Sequence, residues 1–285
     1  MRRLRPPDVL CDSDSTYRVT EPRSLLDETA GIAAGAGRLI QTVRAEGVDV
    51  DSKGELGPVT RADREADGLL KRELRRLVPA GWLSEETADS RERLDVERVW
   101  IVDPLDGTKE YVEGVKEYTV AIALVEGGQP VLGVVHNPAT GETFAAARGG
   151  GAYRNGARIE VREGDVILAS RSETARGEFE PFEGTWRITP VGSIQYKLAL
   201  VAAGEGAVTF SRGPKHEWDV CAGALIVAEA GGSVTDLFGE PLRFNRPFPK
   251  TRGVLAGAPR AYARALEELR RVGASDRMSE LDDRD

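Results

Sequence analysis

Cysteine and histidine are scarce in this chain of 285 residues, which contains two of each. Cys11 and Cys221 cannot form the disulfide framework of a secreted protein of this length, so we expect a reducing, cytoplasmic location. The two histidines, His136 and His216, are too few for a multi-histidine proton relay. A zinc site built from Cys and His ligands is equally unexpected.

Long apolar runs are also missing. No stretch approaches 18 uncharged apolar residues, which argues against a membrane-spanning helix. The first ten residues include several arginines but lack the apolar run typical of a signal peptide. The formal net charge of −8 argues weakly against a nonspecific nucleic-acid binder. We therefore expect a cytoplasmic protein that binds neither a membrane nor a nucleic-acid polymer.

Hydrophobic periodicity divides the chain into two parts. Two segments with a helical period precede residue 80, and strand-like runs follow them. Beyond a charged link near residue 163, short strands and helices alternate, which is typical of an α/β fold. The pattern predicts a flexible arm at 1–20, an N-terminal α+β domain at 21–163, a C-terminal α/β domain at 164–275 and a disordered tail at 276–285.

The segment DPLDGT follows a buried-looking apolar run and is the most informative in the sequence. Its proline and glycine favour a tight turn, which can aim Asp103, Asp106 and the carbonyl group of Leu105 at one point. Three oxygen ligands so arranged suit a hard cation such as Mg²⁺. The amides of Gly107 and Thr108 then open a turn or helix able to hold a phosphate oxygen. Taken alone, the segment is better explained as an ordinary surface turn with an N-cap.

Three further acidic residues lie at the ends of predicted elements. Glu85 follows the apolar pair Trp82-Leu83, Asp219 precedes an apolar helix, and Asp63 lies one turn from Thr60 at a helix start. Each has a simple structural explanation: a solvated glutamate for the first and an N-cap for the other two. The conjunction of all these acids is more informative than any one of them.

The segments PVTRAD, LSEE, DPLDGTKEY, VGSIQYKLALVAAGEGAV and WDVCAGALIVAEAGG together resemble the inositol monophosphatase-like superfamily of Mg²⁺-dependent, lithium-sensitive phosphatases. They occur in family order and cover most of residues 25–260. Within the superfamily, the residues KEY after DGT and the pair Gly213-Pro214 look most like the 3′(2′),5′-bisphosphate nucleotidases. The resemblance implies a layered αβαβα sandwich of the sugar-phosphatase type. Homodimers are common among such relatives, so a homodimer is a further expectation by analogy.

The resemblance also implies roles for individual residues. Two or three Mg²⁺ ions would be held by Glu85, Asp103, the Leu105 carbonyl, Asp106 and Asp219. Metal-activated water would be the nucleophile, and the implied catalytic residues are Asp63, Glu85 and Thr108. Thr108, hydrogen-bonded to Asp63, would orient or deprotonate that water.

The implied substrate is a small phosphorylated metabolite. It would be contacted by the amides of Gly107 and Thr108, by Gly192 and Ser193 at the sugar ring, and by Lys197 and Arg212. Inositol monophosphatases carry a hydroxyl-accepting glutamate where this chain has Arg212, and an arginine can instead clamp a second phosphate. Lys215 and His216 add positive charge nearby. This pattern favours 3′-phosphoadenosine 5′-phosphate.

Three alternatives remain at this point. Arg212 and Lys215 are equally explained as solvated loop charges. The substrate is alternatively inositol monophosphate or a sugar phosphate such as fructose 1,6-bisphosphate, cleaved by the same chemistry. A non-catalytic regulator that binds metal or phosphate is a third hypothesis, disfavoured because every acid that the mechanism needs is present.

Overall fold

The computed structural model describes residues 22–48, 50–52 and 58–273. The predicted arm at 1–20 and the predicted tail at 276–285 lie outside these residues. In chain order the elements are α1 (Pro22–Glu46), β1 (Val50–Ser52), β2 (Pro58–Thr60), α2 (Arg61–Leu77), β3 (Gly81–Ser84), β4 (Arg98–Asp106), α3 (Thr108–Glu113), β5 (Thr119–Glu126), β6 (Gln129–Asn137), β7 (Glu142–Ala147), β8 (Ala152–Arg154), β9 (Ala157–Ile159), β10 (Val166–Ser170), α4 (Arg171–Ala175), β11 (Arg187–Val191), α5 (Ile194–Ala202), β12 (Val208–Ser211), β13 (Lys215–His216), α6 (Cys221–Glu229), β14 (Ser233–Thr235), β15 (Lys250–Thr251), β16 (Val254–Gly257) and α7 (Pro259–Val272). Short 3₁₀ turns span Arg91–Asp95, Glu180–Phe182 and Glu217–Asp219.

The larger sheet has the strand order β3-β4-β5-β6-β7-β8-β9. Strands β3 and β4 are parallel, and all later neighbours are antiparallel. Along β4, Trp100 and Val102 join the apolar cluster of α1 and α2, whereas Val99 and Ile101 join the cluster of α5 and α6. Because helices cover this strand on both faces, its sequence is a continuous apolar run.

The smaller sheet has the order β11-β10-β12-β16-β14, with β10, β11 and β12 parallel and β16 antiparallel to both its neighbours. Leu168 and Ala256 pack on the α5 and α6 side of this sheet, and Val208 and Leu255 pack on the α7 side. The layers are therefore α1 with α2, the larger sheet, α5 with α6, the smaller sheet, and α7. The predicted αβαβα sandwich is confirmed.

The change from one sheet to the other falls between β9 and β10, within the charged link that the sequence analysis placed at the domain boundary. Helices α5 and α6 form the layer between the two sheets and contact strands of both. Their apolar cluster includes Ala121 of the larger sheet and Val254 of the smaller. The two-domain division at 163/164 stays a prediction.

Helix α2 shows how the outer layer is positioned. Ala62, Ala66, Leu70 and Leu74 recur at helical spacing and are buried. Thr60 caps the helix by accepting from the N–H of Ala62, so the polar start of α2 is fixed where its first residues meet the larger sheet. Among the helices of the described residues, none is long and apolar enough to cross a membrane.

The contact of β6 with α6 depends on a glycine, which gives a first prediction. A Cβ at Gly133 would lie 2.7 Å from the carbonyl oxygen of Ala222, so Gly133→Ala forces the sheet and helix apart. We expect the free energy of unfolding to fall by about 1–3 kcal/mol. Gly68→Ala in α2, where a Cβ meets no atom within 4 Å, should raise it by up to about 1 kcal/mol. Urea unfolding followed by circular dichroism measures both, and equal effects of the two substitutions would contradict the packing argument.

Candidate active site

The DPLDGT turn forms at the end of β4, where the register with β5 shifts between Asp103 and Asp106. Asp103 is buried, and its Oδ1 accepts from the N–H of Leu105 at 3.0 Å. Gly107 has φ +93°, and a Cβ there would lie 2.9 Å from the carbonyl oxygen of Glu117. Because only glycine fits both constraints, Gly107 sets how the chain leaves the two aspartates.

Asp106 is held by the start of α5. Its Oδ2 accepts from the hydroxyl of Ser193 at 2.5 Å and from the N–H of Gln195 at 2.6 Å. Ser193 has φ +53°, and its Oγ also accepts from the N–H of Tyr196 at 3.0 Å, so it caps α5. The side chain that the resemblance placed at the sugar ring thus orients a predicted metal ligand, and its contact with the sugar stays a prediction.

Asp219 ends the 3₁₀ turn Glu217–Asp219 and lines the same cavity as Asp106. Its Oδ2 accepts from the N–H of His216 at 2.9 Å. The simple explanation of Asp219 as the N-cap of α6 is wrong, because Val220 holds that position and no side chain caps the helix. The cap that Asp219 makes is on its own short turn, two residues before α6 begins.

Asp63 and Thr108 meet as expected. The hydroxyl of Thr108 lies 2.9 Å from Asp63 Oδ1 and 3.1 Å from the carbonyl oxygen of Leu105. The other carboxylate oxygen of Asp63 accepts from the N–H of Thr60 at 2.7 Å and from its hydroxyl at 2.5 Å. The capping box of α2 therefore fixes one oxygen of Asp63 and leaves the other facing Thr108.

Glu85 follows β3, and its N–H lies 3.4 Å from the carbonyl oxygen of Val102 on β4. Asp67 of α2 fixes the loop on both sides of this glutamate. Its two oxygens accept from the hydroxyls of Ser84 at 2.5 Å and Thr87 at 2.6 Å. The backbone that carries Glu85 is therefore held against both α2 and β4.

The acidic side chains share one electrostatic environment. Burial raises the pKa of Asp103 well above its ordinary value, and the negative charges of Glu85, Asp106 and Asp219 raise it further. Burial also raises the pKa of Asp219 to about 6, against the opposing charge of Lys215. Within the described residues, no three His, Cys, Asp or Glu side chains form a closed metal-binding cluster. The acids are thus close enough to repel one another without completing a coordination shell.

A cavity of about 210 Å³ opens beside these acids. It is lined by residues from β4, α3, α4, α5, β12 and the segment around Asp219: Asp106, Gly107, Glu110, Ser170, Ser172, Glu173, Gly192, Ser193, Ile194, Lys197, Phe210, Ser211, Lys215 and Asp219. Larger grooves at the β3 edge and beside α1 contain none of these acids. Six of the predicted site residues line this smaller cavity, namely Asp106, Gly107, Gly192, Ser193, Lys197 and Asp219, and the others lie outside its lining.

Two lysines line the cavity in different ways. The Nζ of Lys197 is buried and donates to the carbonyl oxygens of Val191 at 3.3 Å and Ser193 at 3.0 Å, and burial lowers its pKa. Lys215 lies 3.4 Å from Oε1 of the buried Glu173. Lys197 therefore braces the turn before α5, whereas Lys215 is the more exposed cation of the cavity.

Comparison with known proteins decides the family. The Inositol monophosphatase family matches residues 21–274. The chain belongs to the inositol monophosphatase family. It is 37% identical over 232 residues to the 3′(2′),5′-bisphosphate nucleotidase CysQ of Escherichia coli O157:H7, covering 77% of this chain and 94% of that protein. It is also 37% identical over 209 residues to the fructose-1,6-bisphosphatase/inositol-1-monophosphatase of Thermotoga maritima, covering 69% and 78% of the two chains.

Solved structures agree with the sequence comparison. The crystal structure of the extragenic suppressor protein suhB from Bartonella henselae matches with a TM-score of 0.77 and 31% identity, covering 86% of this chain and 98% of that one. The family is one of phosphatases, and this inositol monophosphatase family member is a phosphatase.

Arg212 departs from its expected position. Its Nε donates to the carbonyl oxygen of Gly273 at 3.1 Å and its Nη1 to that of Glu178 at 3.3 Å. Arg212 does not line the cavity, although the preceding residue, Ser211, does. Successive residues of an extended chain point in opposite directions, so the spacing that suggested a phosphate clamp places the guanidinium on the wrong side.

The sequence analysis did not single out two acidic residues of the cavity, Glu110 and Glu173. Glu110 lies in the KEY tripeptide and packs closely on Gly192. A Cβ at residue 192 would lie 2.4 Å from the Cγ of Glu110. Glu173 comes from α4, and its Oε1 accepts from the hydroxyl of Ser211 at 2.6 Å. The motif next to DGT was a usable signal for the first, but nothing around the second distinguishes it from a solvated acid.

The raised pKa of Asp219 predicts that Asp219→Asn changes the free energy of unfolding of the metal-free protein in a pH-dependent way. A carboxyl whose pKa is raised on folding makes the protein less stable as pH rises from the unfolded pKa of about 4 to the folded pKa of about 6. The variant carries no such charge, so it should be more stable than the wild type by about 1–3 kcal/mol at pH 7.5 and by much less at pH 4.

Urea unfolding at the two pH values, in the presence of a chelator, measures this difference. Burial lowers the pKa of His136 and of His216 to about 4, which gives the opposite pH dependence, but both proteins contain these histidines and their contribution cancels. An effect of the substitution that is equal at both pH values would contradict the raised pKa of Asp219.

Proposed function

We propose that this phosphatase removes the 3′-phosphate of 3′-phosphoadenosine 5′-phosphate in a Mg²⁺-dependent hydrolysis. The observation that carries the proposal is the meeting of Asp103, Asp106 and Asp219 with the Asp63–Thr108 pair beside a cavity that also contains Lys215. The 37% identity to a 3′(2′),5′-bisphosphate nucleotidase, over 77% of this chain, supports this substrate.

The donor set fits Mg²⁺. The proposed ligands are all oxygen atoms, from Glu85, Asp103, Asp106 and Asp219 and from the carbonyl of Leu105, which is the donor type that this hard cation prefers. Burial and then the charges of the neighbouring acids raise the pKa of Asp103, and a bound divalent cation would relieve both effects. When bound, Mg²⁺ supplies positive charge to the phosphoryl oxygens and lowers the pKa of water.

Thr108 and Asp63 handle the proton of the attacking water. The Thr108 hydroxyl donates to Asp63 Oδ1, so its lone pairs face outward and accept from the water. As the water oxygen bonds to phosphorus, its proton passes to Thr108 Oγ and the Thr108 proton moves to Asp63. The bond from phosphorus to the 3′-oxygen of the substrate breaks, and that oxygen leaves as a hydroxyl after taking a proton from solvent. Thr60 holds the other oxygen of Asp63, so the carboxylate keeps its orientation throughout.

Backbone amides and lysines bind the rest of the substrate. The N–H groups at Gly107 and Thr108 open α3 and are placed for the transferred phosphoryl group, since the first amides of a helix have no intrahelical acceptor. Lys215 lies across the same cavity and offers a cation to a second phosphate. A bisphosphate would thus be held at both ends, which fixes the scissile phosphate relative to Thr108.

Hydrolysis of inositol monophosphate or a sugar phosphate such as fructose 1,6-bisphosphate is the second candidate. The position of Arg212 outside the cavity favours it, because one cation expected to select bisphosphate nucleotides is absent from the lining. The 37% identity to the Thermotoga maritima enzyme, named for both activities, also supports it. A cytoplasmic location and a homodimer stay predictions for either candidate.

A panel of phosphomonoesters tests the proposed substrate. With Mg²⁺ present, we expect kcat/KM for 3′-phosphoadenosine 5′-phosphate to exceed that for inositol 1-phosphate and fructose 1,6-bisphosphate at least tenfold, measured as phosphate release. Chelation should abolish turnover, and so should Asp106→Asn, which keeps the side-chain shape and removes the charge. Preference for inositol 1-phosphate would support the second candidate, and turnover of none would leave a non-catalytic regulator.

The substitution Lys215→Met tests whether Lys215 binds the second phosphate of the substrate and not the phosphate that is removed. Loss of one charged contact should raise KM for the bisphosphate about tenfold, because such contacts contribute roughly 1.5–3 kcal/mol. KM for a simple monophosphate such as inositol 1-phosphate should change less than twofold. Lys109→Met is the matched control, since Lys109 is exposed on α3 and its nearest ion-pair partner is Glu113 at 3.9 Å. Equal effects of Lys215→Met on both substrates would contradict the assignment.

A further inference from the structure

Two of the proposed metal ligands lie on segments that are far apart in sequence. Glu85 lies on the loop after β3, and Asp219 lies on the turn before α6. The dipeptide Asn245-Arg246 belongs to neither segment. Two buried side chains bind it: Arg93, on the 3₁₀ turn that follows the Glu85 loop, and Glu217, on the turn that Asp219 ends.

Arg93 grips the dipeptide from the side of the Glu85 loop. Its Nη1 donates to Asn245 Oδ1 at 2.7 Å and its Nη2 to the carbonyl oxygen of Arg246 at 2.9 Å. Asn245 Nδ2 returns a contact to the carbonyl oxygen of Arg93 at 3.2 Å. Asp89 completes the set, accepting from Nε at 2.7 Å and from Nη2 at 2.9 Å. The four bonds that the Arg93 guanidinium donates use the planar fork that only arginine offers.

Glu217 grips the same dipeptide from the side of Asp219. Its Oε2 accepts from the N–H of Asn245 at 2.6 Å and its Oε1 from the N–H of Arg246 at 3.0 Å. Glu217 opens the 3₁₀ turn that Asp219 ends, and it is fully buried. The position of this turn is thus tied to the dipeptide by two hydrogen bonds.

The backbone of the dipeptide is shaped for this double grip. Asn245 has φ +60°, a left-handed conformation that asparagine tolerates better than most residues. In this conformation its side chain reaches Arg93 while its N–H reaches Glu217. Neither contact involves the proposed substrate cavity, whose lining contains none of these residues.

We propose that Arg93, Asn245 and Glu217 form a latch that sets the distance between the Glu85 loop and the Asp219 turn, and so the affinity of the site for Mg²⁺. This inference rests on the proposed metal site. The three are positioning residues: Arg93 and Asn245 act on Glu85 through the loop, and Glu217 acts on Asp219 through the 3₁₀ turn. Breaking either side of the latch would let the two ligand segments shift relative to one another, within the freedom that the contacts of Asp67 with Ser84 and Thr87 leave to the Glu85 loop.

Mg²⁺ binding to the full chain, measured by isothermal titration calorimetry without substrate, tests the latch. Arg93→Met and Glu217→Gln should each raise the Mg²⁺ dissociation constant about tenfold. The dissociation constant of the double variant should be close to that of the single variant that binds Mg²⁺ less tightly. The reason is that the first substitution already disconnects the two segments. Asn245→Gly is a milder third variant, which keeps the left-handed backbone and removes the side-chain contact, and should raise the constant threefold or more.

Glu163→Gln is the matched control. Glu163 also binds two consecutive backbone N–H groups, those of Arg260 at 2.9 Å and Ala261 at 3.0 Å, but at the start of α7. This variant should leave Mg²⁺ affinity unchanged even if it lowers the melting temperature. Unchanged affinity in folded Glu217→Gln and Asn245→Gly proteins would overturn the latch, as would an equal loss in the control. A wild-type protein that binds no Mg²⁺ would instead overturn the proposed function itself.

Discussion

The burial of several carboxylates close to one another is the constraint on which this site depends. Asp103, Asp106 and Asp219 each accept from a backbone N–H, of Leu105, Gln195 and His216 respectively, and each has a raised pKa. Two other acids near the cavity have a cationic side chain beside them. Glu173 has Lys215 as its counter-charge and Glu117 has Arg171, and in both the pKa is lowered despite burial. Amide donors orient a carboxylate without neutralising it, so the aspartates still require a cation, whereas the paired glutamates do not.

The layered fold brings these acids together because each ends or begins an element of a different layer. Asp103 and Asp106 end a strand of the larger sheet, Asp63 starts a helix of the outer layer, and Asp219 precedes a helix of the central layer. Helix α5 links them, since its first turn supplies the donors to Asp106 while its body packs between the sheets. The apolar packing of the layers therefore fixes the relative positions of side chains that would otherwise repel one another.

Much of this was predictable from sequence, and the failures have identifiable causes. The apolar runs of β4 and α2 and the Thr60–Asp63 cap depend on local spacing, which periodicity reveals. The order of the layers and the acidic residues of the site were predicted from the resemblance of the motifs to a family. Arg212 was misplaced because counting residues from Asp219 gives no information on which side of an extended segment a residue faces. The partnerships of Glu173 with Lys215 and of Arg93 with Asn245 join residues distant in sequence, and no local pattern encodes them.

Backbone strain near the site also has local causes at some residues and long-range causes at others. Among the described residues, Asn155, Ser193 and Asn245 have positive φ without being glycine, and two of the three are next to predicted metal-ligand segments. Asn155 precedes Gly156 in a hairpin, where such a conformation is expected. Ser193 instead uses its Oγ on Asp106 and receives the buried Lys197 on its carbonyl oxygen, and Asn245 is gripped from two sides. Glycine would relieve the strain at Ser193 and would lose the hydroxyl that orients Asp106. The strain is therefore retained because the side chains at these positions, and the bonds they make, fix the ligands more tightly than a relaxed loop would.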